Sequence, residues 1–314
     1  MTDIITVTLN PALDLSTEAP AVIPDRKLRC SAPLIHPGGG GVNISRAVAN
    51  LGGTSRALVA YGGPTGQELV RLIQAEGLTP EPLGVDHATR QSVSVMDNAT
   101  GLQYRFMMPG APWTEEDAAT ARAAILSSVT PGALVIPSGS LPPGVSVDFL
   151  LSLAPEIAAT GGRMLLDTSG PALTRAAEAR AGLYVLRMDT VEAEELTGHR
   201  LTALADMADL AKSLRAAGAA EIVMVAAGAQ GTVIASETWT GLTRPPVVVP
   251  HSKIGAGDSF VAAFAMSLAR GEDPVTACCW GTAAAASAVQ EEGTRLCQRA
   301  DVERFFGEVE RMKL

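Results

Sequence analysis

Apolar and polar positions along this chain fall into two rhythms. Ile4–Leu9 is a short β-branched run, and Arg56–Tyr61 is another, ending in Gly62-Gly63. Between them, residues 12–36 alternate polar with apolar and are rich in proline, which predicts extended chain. The stretch 42–51 has helical spacing and stops at Gly52-Gly53, and Gln67–Glu76 is a second helix closed by Gly77. Residues 90–108 alternate around Asn98-Ala99-Thr100-Gly101, a two-strand hairpin. From there helices and strands take turns: helices 114–128, 146–160, 171–180 and 202–218, each followed by a strand, at 133–137, 163–167, 183–187 and 221–226. Strands 232–236 and 246–249 then precede long helices 257–270 and 273–290. Such alternation predicts an α/β fold with a mostly parallel sheet flanked by helices. The extended regions, about 12–36 and 88–108, fall outside that rhythm and predict a small separate β-sheet. The 314 residues would otherwise form one domain.

Composition narrows the partners. Hydrophobic residues make up 47% and charged residues 18%, enough for a large core. The net charge of −9 argues against nucleic acid or an anionic membrane as a partner. An anionic small molecule stays possible, since a few basic residues suffice for a local pocket; Lys27, Arg29, Arg46, Arg90 and Arg105 are available. The cysteines Cys30, Cys278, Cys279 and Cys297 have no paired spacing, which fits free thiols in a reducing cytoplasm. No leader pattern precedes the first strand, and no apolar run has the length to span a bilayer.

Two glycine-rich segments carry the chemistry. Lys253-Ile254-Gly255-Ala256-Gly257-Asp258 runs straight into an apolar helix. A glycine turn at a helix start offers free N–H groups and the positive end of the helix dipole to an anion such as phosphate. Asp258 in that turn is either a plain N-cap or a base that takes a proton from a hydroxyl attacking the phosphate. The second segment, Pro37-Gly38-Gly39-Gly40-Gly41-Val42-Asn43, allows close approach of backbone to a ligand and puts the Asn43 amide on the first helical turn, where it suits hydroxyl groups. The four histidines have no metal-binding spacing.

Both segments resemble the two signatures of the ribokinase-like (PfkB) family of carbohydrate kinases. Further matches are Asn10-Pro11-Ala12-Leu13-Asp14, Lys27-Leu28-Arg29-Cys30, Thr89-Arg90-Gln91, Gln103-Tyr104-Arg105-Phe106, Ser138–Gly144 and Glu292–Cys297. Within the family the set is most similar to kinases of fructose 6-phosphate. The resemblance implies a ribokinase-like three-layer fold, with the small sheet as a lid over the sugar. It implies ATP as co-substrate, Mg²⁺, and a homodimer formed through the lid. Asp258 would be the base, with the N–H groups of Gly255, Ala256 and Gly257 holding developing phosphate charge. Asp14, Gly39, Gly40, Asn43 and Ser140 would bind the sugar, and Arg90, Lys27 and Arg29 its phosphate. Arg187, Asp189, Ala226, Gly228, Gly231 and Ser252 would line the nucleotide, with Glu192 and Asp189 near the metal.

The departures from the family pattern cluster on the nucleotide side. The family's Asn-x-x-Glu reads Asp189-Thr190-Val191-Glu192, preceded by Arg187-Met188 in place of Lys-Pro. Ala226-Ala227 lacks the usual hydroxyl, and Ser252-Lys253 replaces Asp-Thr. Fructose 1-phosphate or tagatose 6-phosphate is the alternative substrate. A non-catalytic sugar-phosphate binding protein is the alternative of another class.

Overall fold

The computed structural model describes residues 2–291 and 295–314. Glu292, Gly293 and Thr294, the first half of the Glu292–Cys297 motif, lie outside the described residues. In chain order the elements are β1 (Ile4–Thr8), β2 (Ala12–Ala19), β3 (Leu34–Gly38), α1 (Gly40–Asn50), β4 (Arg56–Val59), α2 (Gly63–Ala75), β5 (Pro80–Pro82), β6 (Arg90–Asp97), β7 (Leu102–Met107) and α3 (Glu115–Ser128). There follow β8 (Leu134–Pro137), α4 (Phe149–Ala159), β9 (Arg163–Asp167), α5 (Pro171–Glu178), β10 (Leu183–Asp189), α6 (Thr190–Thr197), α7 (Leu204–Ala217) and β11 (Ala220–Ala226). The last are β12 (Thr232–Ala235), β13 (Thr240–Arg244), α8 (Ala256–Ala269), α9 (Pro274–Ala288), α10 (Arg299–Phe306) and β14 (Glu310–Lys313).

Ten strands form the main sheet in the order β14-β13-β12-β11-β10-β9-β8-β1-β4-β5. Pairing is parallel from β5 to β11 and antiparallel from β12 to β14. Each parallel strand buries both faces, so alternate residues feed two cores. Leu134 and Ile136 pack with α1, α8 and α9, while Val135 between them packs with α3, α4, α5 and α7. The chain leaves β1 towards β4 on one side and returns to β8 on the other. The strand order therefore reverses at β1, and open α/β sheets bind ligands at such a point, beyond the carboxyl ends of the strands.

β2, β3, β6 and β7 form a separate sheet in the order β3-β2-β6-β7. Its register sorts residues by face. His36, Asp14, Ser92 and Met107 stand in one row, and Arg90 and Arg105 share their side. Leu15, Ile35, Val93 and Phe106 form a row on the opposite side.

Several expectations needed correction. Residues 246–249 are no strand; β13 is Thr240–Arg244, paired Thr243 with Thr232. Pro245, Pro246 and Pro250 fence the valine run and remove the donors a ladder needs. The short α6, α10, β5 and β14 carry too few apolar residues to stand out. Helix α2 begins at Gly63 rather than Gln67, using Pro64 in its first turn. Among the described residues no helix is long and apolar enough to cross a membrane.

Candidate active site

The carboxyl ends of β1, β8, β9, β10 and β11 deliver Asn10, Ser138, Asp167, Asp189 and Ala226 to one edge of the sheet. The starts of α1 and α8 meet them there. Asn43 in the first turn of α1 donates from Nδ2 to Asp258 Oδ2 in the first turn of α8, at 2.9 Å. Gly255 caps α8 in the left-handed region, φ 77°, and a Cβ there would lie 2.6 Å from Leu296 Cδ2. Ser259 N is the first amide to bond back, to Gly255 O at 2.9 Å. The amides of Ala256, Gly257 and Asp258 therefore have no partner within the helix. Gly40 lies so close to Ser138 that any side chain there would meet its Oγ.

Burial pushes the Asp258 carboxyl up to about 7, and nearby Asp167 adds to this. The Asn43 hydrogen bond, Arg187 and Arg46 pull the other way. Part of Asp258 still reaches solvent, so protein surrounds the carboxylate without sealing it off.

Arg187 Nη1 donates to Asp167 Oδ1 at 2.7 Å, and Ser138 Oγ donates to Asp167 Oδ2 at 3.0 Å. Burial works against the Arg187 charge, but Asp167, Glu192 and Asp258 outweigh it and hold the guanidinium protonated. Its Nε is buried with no partner among the described residues. Its Nη2 would lie 3.0 Å from a Cβ at Gly257, so the cation sits beside the α8 turn. Ser138 opens the Ser138–Gly144 stretch already singled out in the sequence, whereas Asp167 was missed; its place at the end of β9 was the available signal.

On the Asp14 face of the small sheet, burial raises the Asp14 carboxyl against the pull of Arg90, Arg105 and Arg46 and a Ser92 hydrogen bond. Arg90 is itself half-buried, and that burial lowers its pKa despite Asp14. It donates to Asn10 O at 3.3 Å and Met108 O at 3.2 Å, bridging the roots of β2 and β7. Asn10 Nδ2 donates to Ser140 Oγ at 3.2 Å, which brings Ser140 to the same corner. Lys27 and Arg29 are not brought in. They lie on the exposed segment between β2 and β3, with no hydrogen bond or ion pair among the described residues.

On the nucleotide side, Asp189 and Glu192 form a capping box for α6. Asp189 Oδ1 accepts from Glu192 N at 2.9 Å and Glu192 Oε2 accepts from Asp189 N at 2.8 Å. The carboxylate that replaces the family's amide is thus used as a helix cap. Burial, with Asp189 and Asp167 alongside, pushes Glu192 up to about 7 against the Asp189 amide and Arg187. Ala226 ends β11 and its carbonyl accepts from Thr190 Oγ1 at 2.8 Å. Gly228 and Gly231 bound a single helical turn beside it, and Ser252 Oγ accepts from Ile254 N at 3.2 Å. A cleft of about 580 Å³ among Tyr184, Arg215 and Glu221, at the amino ends of β10 and β11, takes in none of these residues.

The small sheet, a buried carboxylate and a glycine-opened helix start thus stand at one edge of the main sheet. The model of the pfkB family of carbohydrate kinases matches residues 7–301. The chain belongs to that family. It is 37% identical over 312 residues to the ATP-dependent 6-phosphofructokinase isozyme 2 of Escherichia coli, covering 99% of this chain and 100% of that one. Identity to the 1-phosphofructokinase of Xanthomonas campestris is 30% over 266 residues, covering 84% of this chain and 83% of that one. The Escherichia coli phosphofructokinase-2 solved in complex with fructose-6-phosphate superposes with a TM-score of 0.90 at 35% identity, over 98% of this chain and 99% of that one. Its tetrameric inhibited form superposes at 0.91, with the same identity and coverage.

Proposed function

We propose that this carbohydrate kinase transfers the terminal phosphoryl group of ATP to the free primary hydroxyl of fructose 6-phosphate, giving fructose 1,6-bisphosphate. The observation that carries the reading is Asp258, a carboxylate held by Asn43 in the first turn of α8 and pushed by burial up to about 7. A base poised near neutral pH takes the hydroxyl proton as the oxygen attacks. The amides of Ala256 and Gly257, with Gly255 shaping the turn, receive the charge on the moving phosphoryl oxygens, and Arg187 stands beside them. Arg90 and Arg105, on the same lid face as Asp14, suit the phosphate already on the sugar. Asp14, Asn43, Gly39, Gly40 and Ser140 then address its hydroxyls. The relative solved with fructose-6-phosphate supports this choice over fructose 1-phosphate.

Glu192 and Asp189 suit Mg²⁺: they are hard oxygen donors, and their cap bonds use one oxygen of each. When bound, the ion would neutralise charge on the ATP phosphates. Ala226, Gly228, Gly231 and Ser252 would line the nucleotide. The small sheet acts as the lid of a single kinase domain and pairs with a second copy in a homodimer. A cytoplasmic location belongs to the same reading, supported by the free thiols of the buried Cys278, Cys279 and Cys297.

A coupled assay of ADP release with Mg-ATP, run on fructose 6-phosphate, fructose 1-phosphate and tagatose 6-phosphate, tests the reading. Turnover is expected to be fastest on fructose 6-phosphate, with kcat about 10²- to 10⁴-fold lower in Asp258→Asn. Binding of sugar phosphates without turnover on any of them would instead mark a binding protein.

A further inference from the structure

Arg46 lies in the second turn of α1 and is buried. Its guanidinium makes four bonds. Nε and Nη2 grip Glu76 at the end of α2 as a fork, at 2.6 and 2.8 Å. Nη1 donates to Asn43 Oδ1 at 3.1 Å and to the Pro37 carbonyl on β3 at 3.3 Å. Asn43 in turn donates to Asp258.

We infer that Arg46, clamped by Glu76, is a positioning residue that fixes the Asn43 amide so that its NH₂ end faces the base. This rests on Asp258 being that base. An amide's two ends have nearly the same shape and opposite hydrogen-bonding character. Were Asn43 turned over, its oxygen would oppose the Asp258 carboxylate and its NH₂ the Arg46 cation. Both contacts would be repulsive. The guanidinium permits one orientation only. Glu76 supplies the fork that keeps the planar group from swinging, and lysine cannot reproduce a fork serving three partners at once. The bond to Pro37 puts the root of the lid on the same guanidinium.

The alternative is that Arg46 merely ties α1 to α2. The two roles separate in a double-mutant cycle on kcat between Arg46→Gln and Asn43→Ala, with melting temperature and sugar KM recorded alongside. Positioning predicts that Arg46→Gln lowers kcat about 10- to 100-fold with a smaller change in KM. It predicts that Arg46→Lys does not restore kcat. In the Asn43→Ala background the Arg46 effect shrinks to within about twofold. An unchanged kcat with a lowered melting temperature overturns the inference, and so do two effects that simply multiply. If Arg46→Gln does not fold, Glu76→Gln, at the more exposed end of the pair, takes its place. A several-fold loss of kcat that vanishes with Asn43→Ala is then expected, and no loss overturns the inference. Asp258→Asn is run in parallel. Retained turnover there would remove the base reading itself, whereas loss there with a normal Arg46→Gln would remove only the role of Arg46.

Discussion

Asp258 shows how one residue is set against itself. Burial and Asp167 keep its proton on up to about pH 7, yet the base works only without it. The rate should therefore fall as pH drops through about 7, far above the range of an ordinary aspartate, and a pH profile of kcat/KM checks this. The stability consequence has the opposite sign. The native carboxyl holds its proton to a higher pH than the unfolded one, so the group costs stability as pH rises from about 4 to 7. Asp258→Asn should stabilise the fold at pH 8, by on the order of 2 kcal/mol after discounting for partial exposure, and have almost no effect at pH 4. Thermal melts at the two pH values read the difference. Arg90 belongs to the proposed sugar-phosphate contacts instead. Removing its charge should raise KM for fructose 6-phosphate about 10- to 100-fold and leave kcat within a few-fold, measured by steady-state kinetics. Asp258, Asn43 and Arg90 were legible because glycine turns or strand starts mark them locally. Asp167 was not, since a lone Asp after a strand has no local signature.

Helix α6 makes its case at the scale of an element. Its eight residues include four polar or acidic ones between Thr190 and Glu195, so periodicity passes it by. The capping box Asp189–Glu192 is what starts it. Asp189→Asn keeps the cap acceptor and should leave the melting temperature unchanged, whereas Asp189→Ala should cost about 1 kcal/mol. Asp189→Asn also removes a negative charge where ATP phosphates would lie. As Asp189 is one of the two proposed Mg²⁺ donors, the change should raise the Mg²⁺ concentration needed for half-maximal rate, read by titration. The valine run at 246–249 errs in the other direction. Its composition is that of a strand, but flanking prolines deny it a ladder, and Val247 and Val249 are exposed. The sheet takes Thr240–Arg244 instead because that segment follows β12 across a tight turn.

The whole molecule decides the lid. β7 is exposed along its length and presents Phe106 and Tyr104 on the side away from Asp14, while Leu102 is 60% exposed. An apolar edge of this kind invites a second copy. On the proposed homodimer reading, Phe106→Asp should give monomer in sedimentation velocity at micromolar concentration where the unaltered chain gives dimer, with reduced affinity for fructose 6-phosphate because the proposed lid loses support. The sequence by itself determined the alternation of strands and helices, the two glycine turns and the family, since period, turn chemistry and helix starts are properties of neighbouring residues. Only the tertiary structure decided which loops meet. The reversal of strand order at β1 sets the ends of β1, β8, β9 and β10 side by side. That gathers Asp167, Arg187 and Asp258 into one electrostatic cluster, links Asn43 to Asp258, and leaves Lys27 and Arg29 outside. Such pairings join residues as many as 215 positions apart, as between Asn43 and Asp258. No local pattern encodes them, because packing of the sheet, and not spacing along the chain, brings the groups together.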